Sequence, residues 1–509
     1  DTRSSSSMAS SGTYSVGNLY NVTNFTVTGI TATDTLVQFD VAAAAALTDA
    51  YWKGAYTGGI TDTWSVSNGS TSSNWTTDLA GTIATGQVPS IATNVFLSAV
   101  GQANQNDMVL GADTTIKTLT VNTSDTSTPI LLKADGGYKL TIDLAAAITV
   151  DSGASATTIA SKLAFNAATA TIAVNSVTAN PLTLSGIVSG AAITKTGTGT
   201  LVLSGVNTYT GLTTISAGIL SAANDIALGT TAGGTTVAAN GSLELQGNIT
   251  LFGEALTLNG DGATVGADTS GGALRNLSGS NIYNGLVTMA TASTIQSDAG
   301  TLSINGNIGG AFALTVEGAG NTTINGIIGT GAGTLTKNDS GTLTLTSANT
   351  YTGVTTINGG TVTVTNALGL GTVAGGATVA SGATLNINGV TVAETPVTIN
   401  GAGVGSAGAL TGTGVATLSG ASVVLASNSS VGAATTTDIL TISGVISGGT
   451  NTLTKVGNGT VILSGTGANT YTGLTTVEGG SLILAKTAGT NAIAGNLTIG
   501  DGTGNDIVQ

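Results

Sequence analysis

Four residue types recur at fixed places in a long motif that the chain carries three times. The first copy, ITKTGTGTLVLSGVNTYTGLTTISAGIL, runs from Ile193 to Leu220, and later copies begin at Leu335 and Leu453. A recurring lysine could pair with a carboxylate or a ligand, and a recurring asparagine could bind a sugar. The shared positions are Lys195, Lys337 and Lys455; Asn207, Asn349 and Asn469; Tyr209, Tyr351 and Tyr471; and Gly211, Gly353 and Gly473.

A structural interpretation explains these positions more simply than a chemical one. A lysine at a turn is expected to be a solvated charge, and an asparagine there is expected to hydrogen-bond its own turn. The tyrosines lie too far apart along the chain to stack on one another, so each is expected to plug a corner of the fold locally. We therefore predict that the repeated residues are structural and that none is catalytic.

A second candidate group consists of all three tryptophans of the chain, Trp52, Trp64 and Trp75. Exposed, coplanar indole rings would form a platform for a carbohydrate. Buried rings would instead cover the open end of the first coils of a repetitive fold. The cap is the preferred prediction, and contact with a glycan is its alternative.

The composition argues against most other chemistry. The chain has no histidine and no cysteine, which removes the commonest general base and all thiolate sites. Its 25 acidic residues are scattered singly, whereas polysaccharide-cleaving enzymes need grouped carboxylates. No calcium-loop spacing is present. We predict no catalytic site, no metal and no cofactor. A net charge of −14 with two arginines also excludes nucleic acid as a partner.

Short alternating strands dominate the chain and position these residues. In GTLTLTS, Leu343 and Leu345 are expected to point inward, and Thr342, Thr344 and Thr346 outward. Such strands fit an antiparallel sandwich or a parallel β-helix. We predict the all-β parallel β-helix, with coils of roughly 20–25 residues, because the pattern runs on without a helical segment and with few charges to protect exposed edges.

The pattern divides the chain into three parts. Residues 1–50 form an extended Ser/Thr-rich β segment that could serve as a linker or donor strand, residues 51–109 form the Trp-rich capping module, and residues 110–509 form the β-helix with three large repeats. The longest apolar block, Val41 to Leu47, is too short to cross a membrane. The end at Gly500 to Gln509 reads as the middle of a repeat, so we expect a longer precursor.

The pattern LTKxGxGTLxLSGxNTYTGxTTIxxGxL closely resembles the autotransporter-associated β-strand repeat, also called the passenger-associated transport repeat. The resemblance covers about a quarter of the chain. It implies a right-handed parallel β-helix, secretion to the bacterial surface with outer-membrane association, and no catalytic activity. The resulting hypothesis is a structural or adhesive surface protein that associates head-to-tail and contacts surface polysaccharide or another cell. The alternatives are a carbohydrate-binding module and, least favoured, a β-helix polysaccharide-degrading enzyme.

Overall fold

The computed structural model is all-β over the residues it describes, with one 3-10 turn among them at Val404–Ser406. It divides into two compact units, Asp1–Thr236 and Val237–Gln509. In the part of the chain that the structure describes, no helix is long and apolar enough to cross a membrane. Much of the suggested donor segment lies outside the described residues, namely residues 1–18, 21–24 and 33–36. The described residues are 19–20, 25–32, 37–122, 128–264, 271–373, 375–394, 396–420, 422–500 and 506–509.

Short strands fill the first unit. They are β1 (Leu19–Tyr20), β2 (Phe25–Ala32), β3 (Val37–Ala43), β4 (Asp49–Trp52), β5 (Val66–Ser67), β6 (Trp75–Thr76), β7 (Asn94–Phe96), β8 (Thr114–Ile116), β9 (Thr118–Val121), β10 (Ile130–Leu132), β11 (Lys139–Ile142), β12 (Ala146–Val150), β13 (Thr157–Ile159), β14 (Lys162–Phe165), β15 (Thr169–Val174), β16 (Leu182–Leu184), β17 (Val188–Ser189), β18 (Ala192–Thr196), β19 (Thr200–Leu203) and β20 (Thr213–Ala222).

Parallel ladders stack these strands into coils. One ladder follows β4, β7, β9, β12, β15, β18 and β20, a second follows β10, β13, β16, β19 and β20, and a third follows β8, β11, β14 and β17. In the first ladder Ile172 lies beside Lys195, and Lys195 lies beside Ile215. Each coil therefore uses the backbone groups of the coil before and after it.

Antiparallel pairing is confined to the start of the chain among the described residues. β1 pairs with β5, β2 with β3, and β4 with β6. However, β4 also joins the parallel ladder, because Asp49 lies beside Asn94 of β7. The parallel ladder thus reaches further toward the N-terminus than residue 110, where the monotonous strand pattern begins. The aromatic-rich segment is an insertion between two strands of that ladder.

The second unit continues the same type of strand. Its strands are β21 (Thr235–Gln246), which crosses the unit boundary, β22 (Thr250–Leu251), β23 (Leu256–Gly260), β24 (Leu274–Ser278), β25 (Ser280–Tyr283), β26 (Val287–Ser297), β27 (Thr301–Ile304), β28 (Ile308–Gly309), β29 (Leu314–Glu317), β30 (Asn321–Ile324), β31 (Ile328–Gly329), β32 (Leu335–Lys337), β33 (Thr342–Leu345), β34 (Thr355–Ile357), β35 (Thr361–Val364), β36 (Ala377–Val379), β37 (Thr384–Asn388), β38 (Thr391–Val392), β39 (Val397–Gly401), β40 (Leu410–Thr413), β41 (Val415–Leu418), β42 (Val423–Ala433), β43 (Ile439–Ile442), β44 (Ile446–Ser447), β45 (Leu453–Val456), β46 (Thr460–Gly465), β47 (Thr475–Val477), β48 (Ser481–Lys486), β49 (Leu497–Ile499) and β50 (Ile507–Val508).

The predicted parallel fold and facing of the strands are confirmed here. Leu343 and Leu345 are fully buried, while the flanking threonines of the same strand are partly exposed. Leu343 pairs in parallel with Thr322 on one side, 21 residues away, and with Val362 on the other, 19 residues away, so these coils lie at the short end of the expected length. Burying each such leucine contributes about 1.5–3 kcal/mol. The inward row of apolar side chains is therefore the main source of stability.

Candidate functional site

The three repeated lysines lie inside the solenoid. Lys195, Lys337 and Lys455 are at most 1% exposed, so the expectation of solvated charges is wrong. Each lysine occupies an inward position of its strand, in register with apolar residues of adjacent coils. Lys337, for example, lies between Val316 and Ile357. The physical reason is that the turn after each lysine aims carbonyl groups at the ammonium, which replaces the lost water.

Carbonyl oxygens surround each ammonium, and we call this arrangement the carbonyl cage. Lys195 Nζ donates to the carbonyl oxygens of Thr196 at 2.8 Å, Gly197 at 2.7 Å and Ala217 at 3.1 Å. Two of these oxygens belong to its own turn and the third to the next coil. Each cage therefore links the backbone of a turn to a side chain in the interior by hydrogen bonds. Lys337 donates to Asn338 and Asp339, and Lys455 donates to Gly457, Gly459 and Gly479.

Burial determines the proton affinity of these lysines. Loss of hydration lowers the pKa of Lys195 to about 7. Burial also lowers the pKa of Lys337 to about 8, although the charges of Asp339 and Glu317 oppose the shift. The pKa of Lys455 falls to about 8 for the same reason, against an opposing effect of Asp506. The cages therefore hold amines that release protons more readily than exposed lysines do.

The repeated asparagines join successive coils, rather than closing their own turns as expected. Asn349 Oδ1 accepts a hydrogen bond from the Ile328 N–H at 2.8 Å, and its Nδ2 donates to the Gly369 carbonyl at 2.6 Å. Ile328 belongs to the preceding coil and Gly369 to the following one. Asn207 and Asn469 make the equivalent pair of bonds in their own copies. Each amide thus satisfies two backbone groups that the ladders leave unpaired.

The repeated tyrosines and glycines complete the internal arrangement. Tyr209, Tyr351 and Tyr471 are fully buried, and their hydroxyls share hydrogen bonds of 2.7–3.0 Å with the threonine four residues on. Burial raises the pKa of Tyr351 and of Tyr471. A Cβ atom added to Gly353 would lie 2.3 Å from the Gly333 carbonyl oxygen of the preceding coil. Only glycine fits there, and Gly211 and Gly473 meet similar backbone oxygens at 2.5 and 2.1 Å.

The tryptophans form a buried cluster. Trp52, Trp64 and Trp75 have no exposed surface, and Trp75 meets the other two edge to face at ring separations of 5.2 and 5.0 Å. The Trp75 indole N–H donates to the Trp64 carbonyl at 2.9 Å. A sugar platform needs an exposed ring face, so this geometry favours the packing role.

A cavity of about 290 Å³ lies beside this cluster, and its lining includes small hydroxyl side chains, Lys53 and Trp75. Several of those hydroxyls already donate within the protein. Ser73 donates to the Gln87 carbonyl at 2.9 Å, and Thr82 donates to Asp78 at 2.7 Å. Lys53 Nζ donates to the Val100 carbonyl at 2.5 Å. The cavity therefore offers a ligand fewer free donors than its composition suggests.

One charged cluster was not anticipated from the sequence. Arg275 Nε donates to Asp298 at 2.9 Å, and Arg275 Nη1 lies 3.3 Å from a carboxylate oxygen of Glu244. These residues come from three successive coils, and only the coil register brings them together. The arginine holds both carboxylates in ion pairs, so neither is placed as a free acid or base. Across the described ranges, no three potential metal-binding side chains converge.

Comparison with known proteins identifies the repeated motif. Three stretches, residues 193–222, 335–364 and 453–484, match the Passenger-associated-transport-repeat family. The chain is also 31% identical over 360 residues to the Adhesin BmaC autotransporter of Brucella suis biovar 1 (strain 1330). That match covers 59% of this chain and 10% of the relative's length. No solved structure matches the chain.

Proposed function

We propose that this chain, with its three passenger-associated transport repeats, is a non-enzymatic adhesive segment displayed at a bacterial cell surface or outside the cell. The observation that carries the proposal is the inward placement of the repeats' reactive side chains. The repeated Lys, Asn and Tyr side chains are buried and hold coils together. The outward Thr, Ser and other Asn side chains therefore form the contact surface. Similarity to an autotransporter adhesin supports the same role.

Adhesion needs a surface that keeps its shape under stress. Within each unit, stacked parallel coils provide this because the described strands of successive coils are hydrogen-bonded along parallel ladders. The carbonyl cages and asparagine bridges add polar contacts at places that the ladders do not reach.

The second candidate, a carbohydrate-binding role, gains support from a polar cavity described below. Head-to-tail self-association and outer-membrane attachment stay predictions.

The expected result of an attachment assay is that beads carrying the native chain are retained under flow. The beads are passed over an epithelial monolayer and over a lawn of a second bacterium, because the natural target is not specified by the geometry. Albumin-coated beads and beads carrying the heat-unfolded chain are the controls. Retention of native beads several-fold above both controls supports adhesion. The proposal is contradicted if, on both surfaces, native beads are retained no more than albumin beads.

A further inference from the structure

An outward-facing cavity of about 260 Å³ lies in the second unit and is the starting point for the inference. Its polar lining consists of the outward side chains of three coils. Val404 and Ala407, from the loop between β39 and β40, form an apolar wall, and Val404 is 40% exposed. No charged residue lines it. The polar residues are Thr361, Thr384, Asn386, Thr411 and Thr413. We call this feature the Asn386 groove.

Hydrogen bonds within the groove orient its polar groups. The hydroxyls of Thr411 and Thr413 donate to Asn386 Oδ1 at 3.0 and 3.1 Å. Among the described residues, Asn386 Nδ2 has no acceptor. The groove therefore presents amide N–H donors beside hydroxyl oxygens that can still accept. That combination is suited to a ligand that carries hydroxyl groups.

The apolar wall is held in place rather than left mobile. The buried Thr384 hydroxyl accepts from the Val404 N–H at 2.9 Å and donates to the Gly408 carbonyl at 2.9 Å. The loop also contains a left-handed residue that is not glycine, Ser406, with φ 61°. Such a conformation strains the backbone of a residue other than glycine and persists only where surrounding contacts fix it. The wall is thus preorganised before any ligand arrives.

The chain contains an internal comparison for this groove. The segments Val237 to Gly262 and Val379 to Gly403 are related in sequence. In the first copy, Ser242 makes the same pair of contacts as Thr384, accepting from the Ala263 N–H at 2.8 Å and donating to the Gly272 carbonyl at 2.7 Å. Glu244 and Arg275 pair across adjacent coils there, as Asn386 and Thr411 do in the second copy.

The two copies differ in the side chains at these two paired positions. In the first copy the positions hold the buried Glu244–Arg275 ion pair. In the second, the shorter neutral side chains of Asn386 and Thr411 leave the groove open. The same hydroxyl contacts therefore occur with a charged pair and with neutral side chains at the two positions. The copies differ there in side-chain chemistry while the register of the adjacent coils is the same.

We infer that the Asn386 groove binds one ring of a neutral saccharide. A sugar ring presents hydroxyl groups at its edge and C–H groups on its face, which match the amide and hydroxyl edge and the Val404 wall. The uncharged lining and the net charge of −14 disfavour an acidic sugar. The small volume and the absence of an aromatic platform in the lining indicate millimolar affinity for a single site. The inference deepens the proposed adhesive function and rests on it.

The test uses the full chain with maltotriose, cellotriose and chitotriose as neutral probes and trigalacturonate as the acidic probe. Binding is measured by saturation-transfer NMR and calorimetry. At least one neutral probe is expected to bind, and Asn386→Ala is expected to weaken it at least about fivefold, which is the value of one or two lost hydrogen bonds. Asn305→Ala, an exposed asparagine of the same unit outside the groove, is the matched control and is expected to bind normally.

A second variant closes the groove with side chains that the fold already accepts elsewhere. The double substitution Asn386→Glu and Thr411→Arg copies the Glu244–Arg275 pair, and it is expected to abolish binding with unchanged circular dichroism. No binding of any neutral probe at roughly 10 mM, equal binding by all variants, or tighter binding of trigalacturonate overturns the inference. If native beads still attach while no probe binds, the groove inference fails and the adhesive function stands.

Discussion

Substituting Lys195 with alanine is expected to lower the free energy of unfolding of the first unit by about 2–4 kcal/mol. The change leaves the carbonyls of Thr196, Gly197 and Ala217 without their donor and creates a cavity where the lysine stem packed. Relief of the cost of burying an ammonium offsets part of the loss. Tryptophan fluorescence during guanidinium unfolding measures the effect, because all three tryptophans belong to this unit.

Lys162→Ala is the matched control for this measurement, since Lys162 lies on an exposed position of the same unit. Its effect is expected to stay within about 0.5 kcal/mol, as for ordinary surface substitutions. Lys195→Met keeps most of the stem and is expected to give an intermediate loss. Equal effects of Lys162→Ala and Lys195→Ala would show that the carbonyl cage contributes no stability.

Stability is expected to rise between about pH 7 and pH 10 because of the three caged lysines. Their pKa values in the folded chain are about 7, 8 and 8. In the unfolded chain lysine titrates near 10.4. Over this window the unfolded chain therefore holds more protons than the folded chain, and stability increases with pH. The gain is on the order of 2 kcal/mol per lysine, reduced by the hydrogen bonds that favour the ammonium form.

Other buried groups change stability in the opposite direction and have to be separated from the lysines. Burial raises the pKa of Glu394 to about 7, so its contribution is present at acidic pH and is lost as pH rises toward neutrality. Burial also raises the pKa of the buried tyrosines, so stability falls once unfolded tyrosine ionises, near pH 10.

The measurement is therefore a difference between two proteins. Urea unfolding followed by circular dichroism is recorded from pH 6 to 10 for the native chain and for the triple variant Lys195→Met, Lys337→Met and Lys455→Met. The contributions of Glu394 and the tyrosines cancel in the difference. The native chain is expected to gain stability relative to the variant as pH rises. If the difference in free energy of unfolding between the two proteins does not change with pH across this range, the lysines are not buried with lowered pKa values.

The fold was predictable because its physical signal is local. Period-two alternation in strands such as Thr342–Leu345 specifies which side chains face the core. The same alternation contained a signal for the buried lysines. Lys337 has the parity of Leu335, which is inward, and Lys195 has that of Ile193. This parity predicts burial of the lysines, and in this fold it outweighs the general tendency of lysine to be solvated.

Contacts between coils were not predictable in the same way. The bridge from Asn349 to Ile328 and Gly369, and the ion pair of Arg275 with Glu244, depend on the register of adjacent coils. Coil length varies along the chain, so spacing in sequence does not specify that register. The relation between the two internal segments is visible in the sequence, but the Asn386 groove depends on how side chains of three coils pack.

The most direct test of the adhesive account is single-molecule force spectroscopy with the chain attached to the tip and a target cell surface beneath it. The account holds that the folded coils themselves make the contact. The predicted result is frequent rupture events with the native chain and their loss when the same chain is unfolded by denaturant and returned to buffer before it refolds. Rupture events of equal frequency and force for native and unfolded chains would contradict the account.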